Sequence, residues 1–282
     1  MNMPIHRYRR TSSGNGPGFL VIRSRSIKDT FYRSCRIACL GAAIVGCATE
    51  SASAQAAANV SAAEICLAAN SNLSLGARLP RTADHLKSGE PLKIVAIGSS
   101  STVGLWELRP AATYPEVMRR EIQRLQSNAR ISVVNSGRVG DTIPDNIARF
   151  ERDVFAFEPD LILWQLGTND IAWGGHVDAE LKGKVVQAVH ALKATGADVV
   201  LIDLQYTPMV LAADYSRMQT LITEVAQQER IGLFSRFALM RKSIDAGLAP
   251  DALVSWDRLH NSSEGYDCIG RALARTILAG AH

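Results

Sequence analysis

Lys93-Ile94-Val95-Ala96-Ile97 runs directly into Gly98-Ser99-Ser100-Ser101-Thr102-Val103-Gly104. An apolar, β-branched run this short, closed by glycine, reads as a buried strand. The pattern recurs in Asp160-Leu161-Ile162-Leu163-Trp164, which stops before Gly167, and in Asp198-Val199-Val200-Leu201-Ile202. Residues 130–134 and 231–234 supply two further strands. Helical spacing fills the intervals: residues 114–126 (Val117, Met118, Ile122, Leu125), 144–154, 177–194, 215–230 and 262–279. Uniformly apolar strands alternating with helices predict a five-stranded parallel sheet covered on both faces. The expected fold class is therefore α/β, a three-layer α/β/α sandwich formed as one domain by residues 62–282. Right-handed crossovers gather the loops that follow the strands along one edge.

The composition is that of a globular chain, 47% hydrophobic and 21% charged. Residues 1–54 depart from it and read as a basic leader with an export segment. Residues 1–36 carry eight Lys/Arg against one acid, Asp29, and an apolar run follows at 37–46. A basic region, a short apolar segment and small residues after it describe a secretory signal, whereas a bilayer span needs about 20 apolar residues. The competing reading is a basic tail before a buried helix. Arg9-Arg10 hints at twin-arginine export but lies far upstream of the apolar run. Two processing sites compete: Ile44-Val45-Gly46-Cys47 resembles a lipoprotein box, and Ala52-Ser53-Ala54 is an A-x-A cleavage site. Lipidated Cys47 would be the one means of membrane anchoring. The expected location is outside the cytoplasm, periplasmic or secreted.

The net charge of +4 resides in the leader. Without residues 1–46, 23 basic residues face 26 acidic ones. A nucleic-acid partner, which needs a basic patch on the folded domain, is not expected. Beyond the leader two cysteines remain, Cys66 and Cys268. An even pair in an exported protein suggests a disulfide from the N-terminal arm to the last helix, and two separate buried thiols are the alternative.

Four polar clusters fall in order along the chain. They are Gly98-Ser99-Ser100-Ser101, then Asn135-Ser136-Gly137-Arg138-Val139-Gly140-Asp141, then Gly167-Thr168-Asn169-Asp170, and Asp257-Arg258-Leu259-His260-Asn261. Three of them follow strands. In this order they resemble the blocks of the SGNH/GDSL hydrolases over residues 92–275. Gly98-Ser99-Ser100-Ser101 stands for Gly-Asp-Ser-Leu, Gly140 for the second-block glycine, Gly167-Thr168-Asn169-Asp170 for GTND, and Asp257-x-x-His260 for the last block. The first block is degenerate, because Ser99 replaces the usual Asp and Ser101 the usual Leu. The resemblance implies the flavodoxin-like SGNH fold, a Ser100 nucleophile, and oxyanion donors from the Ser100 and Gly140 N–H groups and the Asn169 amide.

The chemistry requires these residue types. A serine hydroxyl is a weak nucleophile until a base takes its proton. His260 suits that task near neutrality, and Asp257, three residues earlier, can fix its tautomer. Rivals exist. Ser99 and Ser101 flank Ser100, and His176 is the second candidate for the base. Asp170 either orders the Asn169 loop or caps the next segment of the chain. Trp173, His176, Gln205 and Tyr206, on loops after strands, are candidates to line the substrate cleft.

No metal or cofactor is expected: there is no H-E-x-x-H, no close Cys/His set, no G-x-G-x-x-G and no Walker loop. The expected function is an exported serine esterase for short-chain acyl or O-acetyl esters, on a small-molecule or glycan substrate, working through an acyl-enzyme. Lysophospholipase, thioesterase or acyltransferase activity is the enzymatic alternative. A non-catalytic envelope binding protein of the same fold is the alternative from another class.

Overall fold

The computed structural model describes residues 61–282; the leader, Cys47 and both processing sites lie outside them. Helices α1 (Ala62–Ala69) and α2 (Pro80–Ser88) precede strand β1 (Leu92–Gly98), which turns at once into the short α3 (Ser100–Val103). There follow α4 (Tyr114–Leu125), β2 (Ile131–Gly137), α5 (Ile143–Ile147), α6 (Phe150–Asp153), β3 (Leu161–Gln165) and α7 (Thr168–Ala172). The chain continues through α8 (Ala179–Ala194), β4 (Asp198–Ile202), α9 (Pro208–Leu211), α10 (Tyr215–Glu229), β5 (Gly232–Phe234), α11 (Arg236–Asp245) and α12 (Ser263–Gly280).

The five strands form one parallel sheet in the order β2-β1-β3-β4-β5. Because side chains alternate along a strand, Ile94 and Ala96 enter one core with Leu161, Leu163, Val200 and Ile202. Val95 and Ile97 enter the other with Ile162, Trp164, Val199 and Leu201. Both faces are covered, so the central strands β1, β3 and β4 carry no polar alternation, and this is the expected α/β/α sandwich.

The Cys66–Cys268 disulfide joins α1 to α12 across a separation of 202 residues. Closing so long a loop stabilises the fold by about 5 kcal/mol in the chain-entropy account.

One expected helix is broken. Residues 144–154 split into α5 and α6 at Ala148-Arg149, because the Arg149 side chain is drawn inward. Its guanidinium donates to Asp141 Oδ2 (2.6 Å), to the Ser136 and Gly98 carbonyls (2.7 and 3.0 Å) and to Asp153 (2.9 Å). It thereby clamps the ends of β1 and β2 together. Tertiary hydrogen bonds overrule the local helical pattern here.

Candidate active site

The site is assembled at the C-terminal edge of the sheet. β1 ends at Gly98, where a side chain would collide with Thr102 and Gln165, and Ser100 opens α3. As the first residue of a helix it has no intrahelical partner for its N–H. Its neighbours are held from below: Gln165 Oε1 accepts from the Ser99 N–H and Oγ (2.9 and 3.0 Å) and from Thr102 Oγ1 (3.1 Å). Ser99, standing where relatives of this motif have Asp, is thus satisfied by a buried glutamine.

The turn 255–260 brings in the other partners. The Val254–Asn261 bridge and the Ser255 N–H···His260 O bond (2.7 Å) close it. Asp257 Oδ1 accepts from the N–H groups of Leu259 and His260 (3.1 and 3.0 Å), which locks the carboxylate against its own turn. Asp257 Oδ2 lies 2.5 Å from His260 Nδ1, and His260 Nε2 lies 2.7 Å from Ser100 Oγ. One hydroxyl, one imidazole and one carboxylate are therefore connected in line.

Asp257 Oδ2 has a second donor that the sequence did not disclose, the indole Nε1–H of Trp106 at 2.6 Å. Burial pushes the Asp257 carboxyl up, but the bonds from His260, from the two backbone N–H groups and from Trp106 outweigh it and bring its pKa down to about 2. The carboxylate is ionised at any pH at which the protein would work.

The other histidines among the described residues lie elsewhere. His85 contacts the Pro91 carbonyl and Asp160, and His190 pairs with Glu229. His176 is exposed, and among the described residues it forms no ion pair. Among the described residues His260 is the one that reaches Ser100.

Gly140 sits in the left-handed region (φ 85°), and a Cβ there would meet no atom within 4 Å. Neither its N–H nor that of Ser100 bonds to another backbone group among the described residues. Asn169, buried, gives one amide hydrogen to the Asp141 carbonyl at 2.8 Å, which leaves the other to donate. Asp170 Oδ1 accepts from the Ile143 N–H at 3.0 Å, so it ties the third-block turn to the start of α5. Of its two expected roles it has the one that orders the Asn169 loop.

Gln205, expected to line the cleft, is instead buried. It accepts from Thr168 Oγ1 (2.9 Å) and Arg236 Nη2 (2.7 Å) and donates to the Leu259 carbonyl (3.2 Å). It joins the turn of Asn169 to the turn of His260. Tyr206 is half-buried, edge-on to Phe237, and lines an apolar cavity with Pro208, Leu211, Ile244 and Val254; the lining of that cavity includes neither Ser100 nor His260. Trp173 and His176 are exposed. Among the described residues no cluster of His, Cys, Asp and Glu is arranged to hold a metal.

Residues 65–282 match the model of the Non-GDSL lipase-like family. The chain belongs to that family. An acetylxylan esterase from Geobacillus stearothermophilus is 28% identical over 176 residues, covering 55% of this chain and 76% of the relative. An arylesterase from Vibrio mimicus is 24% identical over 116 residues, 41% of this chain and 56% of the relative. Among solved structures, the Geobacillus acetylxylan esterase superposes with a TM-score of 0.56 at 25% identity, over 66% of this chain and 94% of its own. A two-domain esterase active on acetylated mannans has a TM-score of 0.63 at 19% identity, over 74% of this chain and 55% of its own, a likeness of fold. With these relatives the Non-GDSL lipase-like chain is a carboxylic-ester hydrolase of the SGNH type.

Proposed function

We propose that the protein is an exported serine esterase that removes short acyl groups, foremost acetyl, from a glycan through an acyl-enzyme. The observation that carries the serine mechanism is the connected line Ser100 Oγ–His260–Asp257, at 2.7 and 2.5 Å. His260 takes the Ser100 proton as Oγ attacks the ester carbonyl, and Asp257 holds the imidazole in the tautomer that can do so. The N–H groups of Ser100 and Gly140 and the free amide hydrogen of Asn169 receive the developing oxyanion. His260 then returns its proton to the leaving alcohol. Water, deprotonated by the same ring, frees the acid from Ser100.

Activity on acetylated xylan and mannan among similar proteins supports an acetylated glycan as substrate. The disulfide supports an oxidising, extracytoplasmic location.

Hydrolysis of p-nitrophenyl acetate, read with the Ser100→Ala variant, tests the mechanism. The protein should release p-nitrophenol with a pre-steady-state burst, and the variant should lose at least about 10³-fold in kcat. Equal rates in the two would reject Ser100 as nucleophile.

A further inference from the structure

Two large aromatic side chains beside the proposed triad are left bare. Trp106 is 49% and Trp256 78% exposed. Their ring centroids are 5.3 Å apart with planes tilted by 53°, and Trp106 stands edge-on to His260 at 6.5 Å. A single exposed apolar residue is ordinary, but an adjoining pair at the mouth of a reactive site marks a surface that a ligand covers.

The Trp106 indole is also held in place. Trp106 has φ 71°, a left-handed conformation that a bulky residue keeps only where its surroundings impose it. Its turn is fastened on both sides. The Tyr266 hydroxyl donates to the Leu105 carbonyl (3.2 Å), and Ser263 Oγ donates to Glu107 Oε2 (2.7 Å). Arg109 binds the same Glu107 carboxylate, and Trp106 itself donates to Asp257. Trp256 directly precedes Asp257, whose carboxylate is fixed by two backbone N–H groups. The Trp106 ring is thus preset, which lowers the ordering cost of binding.

The chemistry of the surface narrows the ligand. The only hydrogen-bonding group of the Trp106 side chain is already given to Asp257, so the ring offers its faces. An acyl chain long enough to cover two indoles would need an enclosed apolar channel, whereas these rings stand open to water. A pyranose ring is suited to such a place, because its C–H face packs on an indole while its hydroxyls stay solvated.

We propose that Trp106 and Trp256 form a saccharide-stacking subsite that seats a pyranose ring of the glycan beside Ser100. The proposal rests on the esterase reading. The competing occupant is a second copy of the chain.

Isothermal titration calorimetry of the Ser100→Ala protein with unacetylated xylohexaose or mannohexaose tests it without turnover. Saturable binding is expected, weakened about tenfold by adding Trp256→Ala and largely restored by Trp256→Phe. Three results would overturn the subsite: no saturable binding, the same affinity with and without Trp256, or a dimer in sedimentation that the Trp256→Ala change dissolves. Release of p-nitrophenol by the unmodified protein separates the two readings. Ester hydrolysis without saccharide binding rejects the subsite alone, and saccharide binding without hydrolysis supports the subsite and rejects the esterase.

Discussion

The indole nitrogen of Trp106 and the imidazole Nδ1 of His260 converge on the same oxygen of Asp257, at 2.6 and 2.5 Å. The carboxylate that aligns the imidazole is therefore itself aligned by a residue outside the triad, in a loop 151 residues away in sequence.

Replacing Trp106 by Phe keeps a ring and removes the N–H. Asp257, short of one donor, becomes more basic and favours the protonated imidazole, which cannot accept the Ser100 proton. Charged groups on the neighbouring segments, Glu107 and Arg109 beside Trp106 and Arg258 beside Asp257, are unchanged. The expected outcome is a kcat several-fold lower on p-nitrophenyl acetate and an acidic limb of the kcat/KM profile moved to higher pH. A profile superposable on that of the unmodified protein would show that the indole does not tune the carboxylate.

Gly140→Ala separates stability from chemistry. An added Cβ meets no protein atom, so the fold should lose only the cost of φ 85°, about 1–2 kcal/mol. The same Cβ stands beside the N–H proposed to face the oxyanion, and kcat should fall by about 10²-fold. Urea unfolding and steady-state kinetics on one preparation measure both quantities.

Arg149→Met should act on the fold. Arg149 and Asp141 are both nearly inaccessible, and removing the cation leaves a buried carboxylate unpaired, at a cost of about 3–5 kcal/mol. Asp141 also holds Asn169 through its carbonyl, so kcat should fall too. Replacing both charged residues with apolar ones should recover much of the stability lost by Arg149→Met, as measured by chemical denaturation.

Acid stability should turn on Glu107 as well as Asp257. The Arg109 guanidinium, aided by Ser263, holds the Glu107 carboxyl at about 2 against the opposing effect of burial. A depressed carboxyl stabilises the fold above its ordinary value, and that contribution is lost as pH falls towards the folded value. The melting temperature should drop between about pH 4 and pH 2, and Glu107→Gln should drop less steeply across that window while starting lower at pH 7.

The sheet was legible because the central strands β1, β3 and β4 are almost wholly apolar on both faces, as a doubly covered sheet demands. The candidates Ser100 and Asn169 were legible because glycines and short polar motifs interrupt that pattern where strands end, and Asp257 and His260 because they form a compact D-x-x-H motif. What escaped was long-range satisfaction of buried polar groups. Gln165 ends an apolar strand and gives no local hint that it will receive Ser99 and Thr102. Arg149 sits within a helical pattern that its own guanidinium breaks. Gln205 stands after a strand, as a substrate-lining residue would, yet its partners come from three other segments. Trp106 is placed by a left-handed turn that no local spacing announces.

Ser100 and His260 are 160 residues apart, and the histidine arrives on the turn that leads into the final helix. During synthesis the hydroxyl, the glycine loop and the amide side chain emerge well before His260, the proposed base. A chain ending before residue 257 could therefore build the whole sheet and still lack the proposed base, so in the proposed mechanism reactivity waits for the turn 255–260 to form.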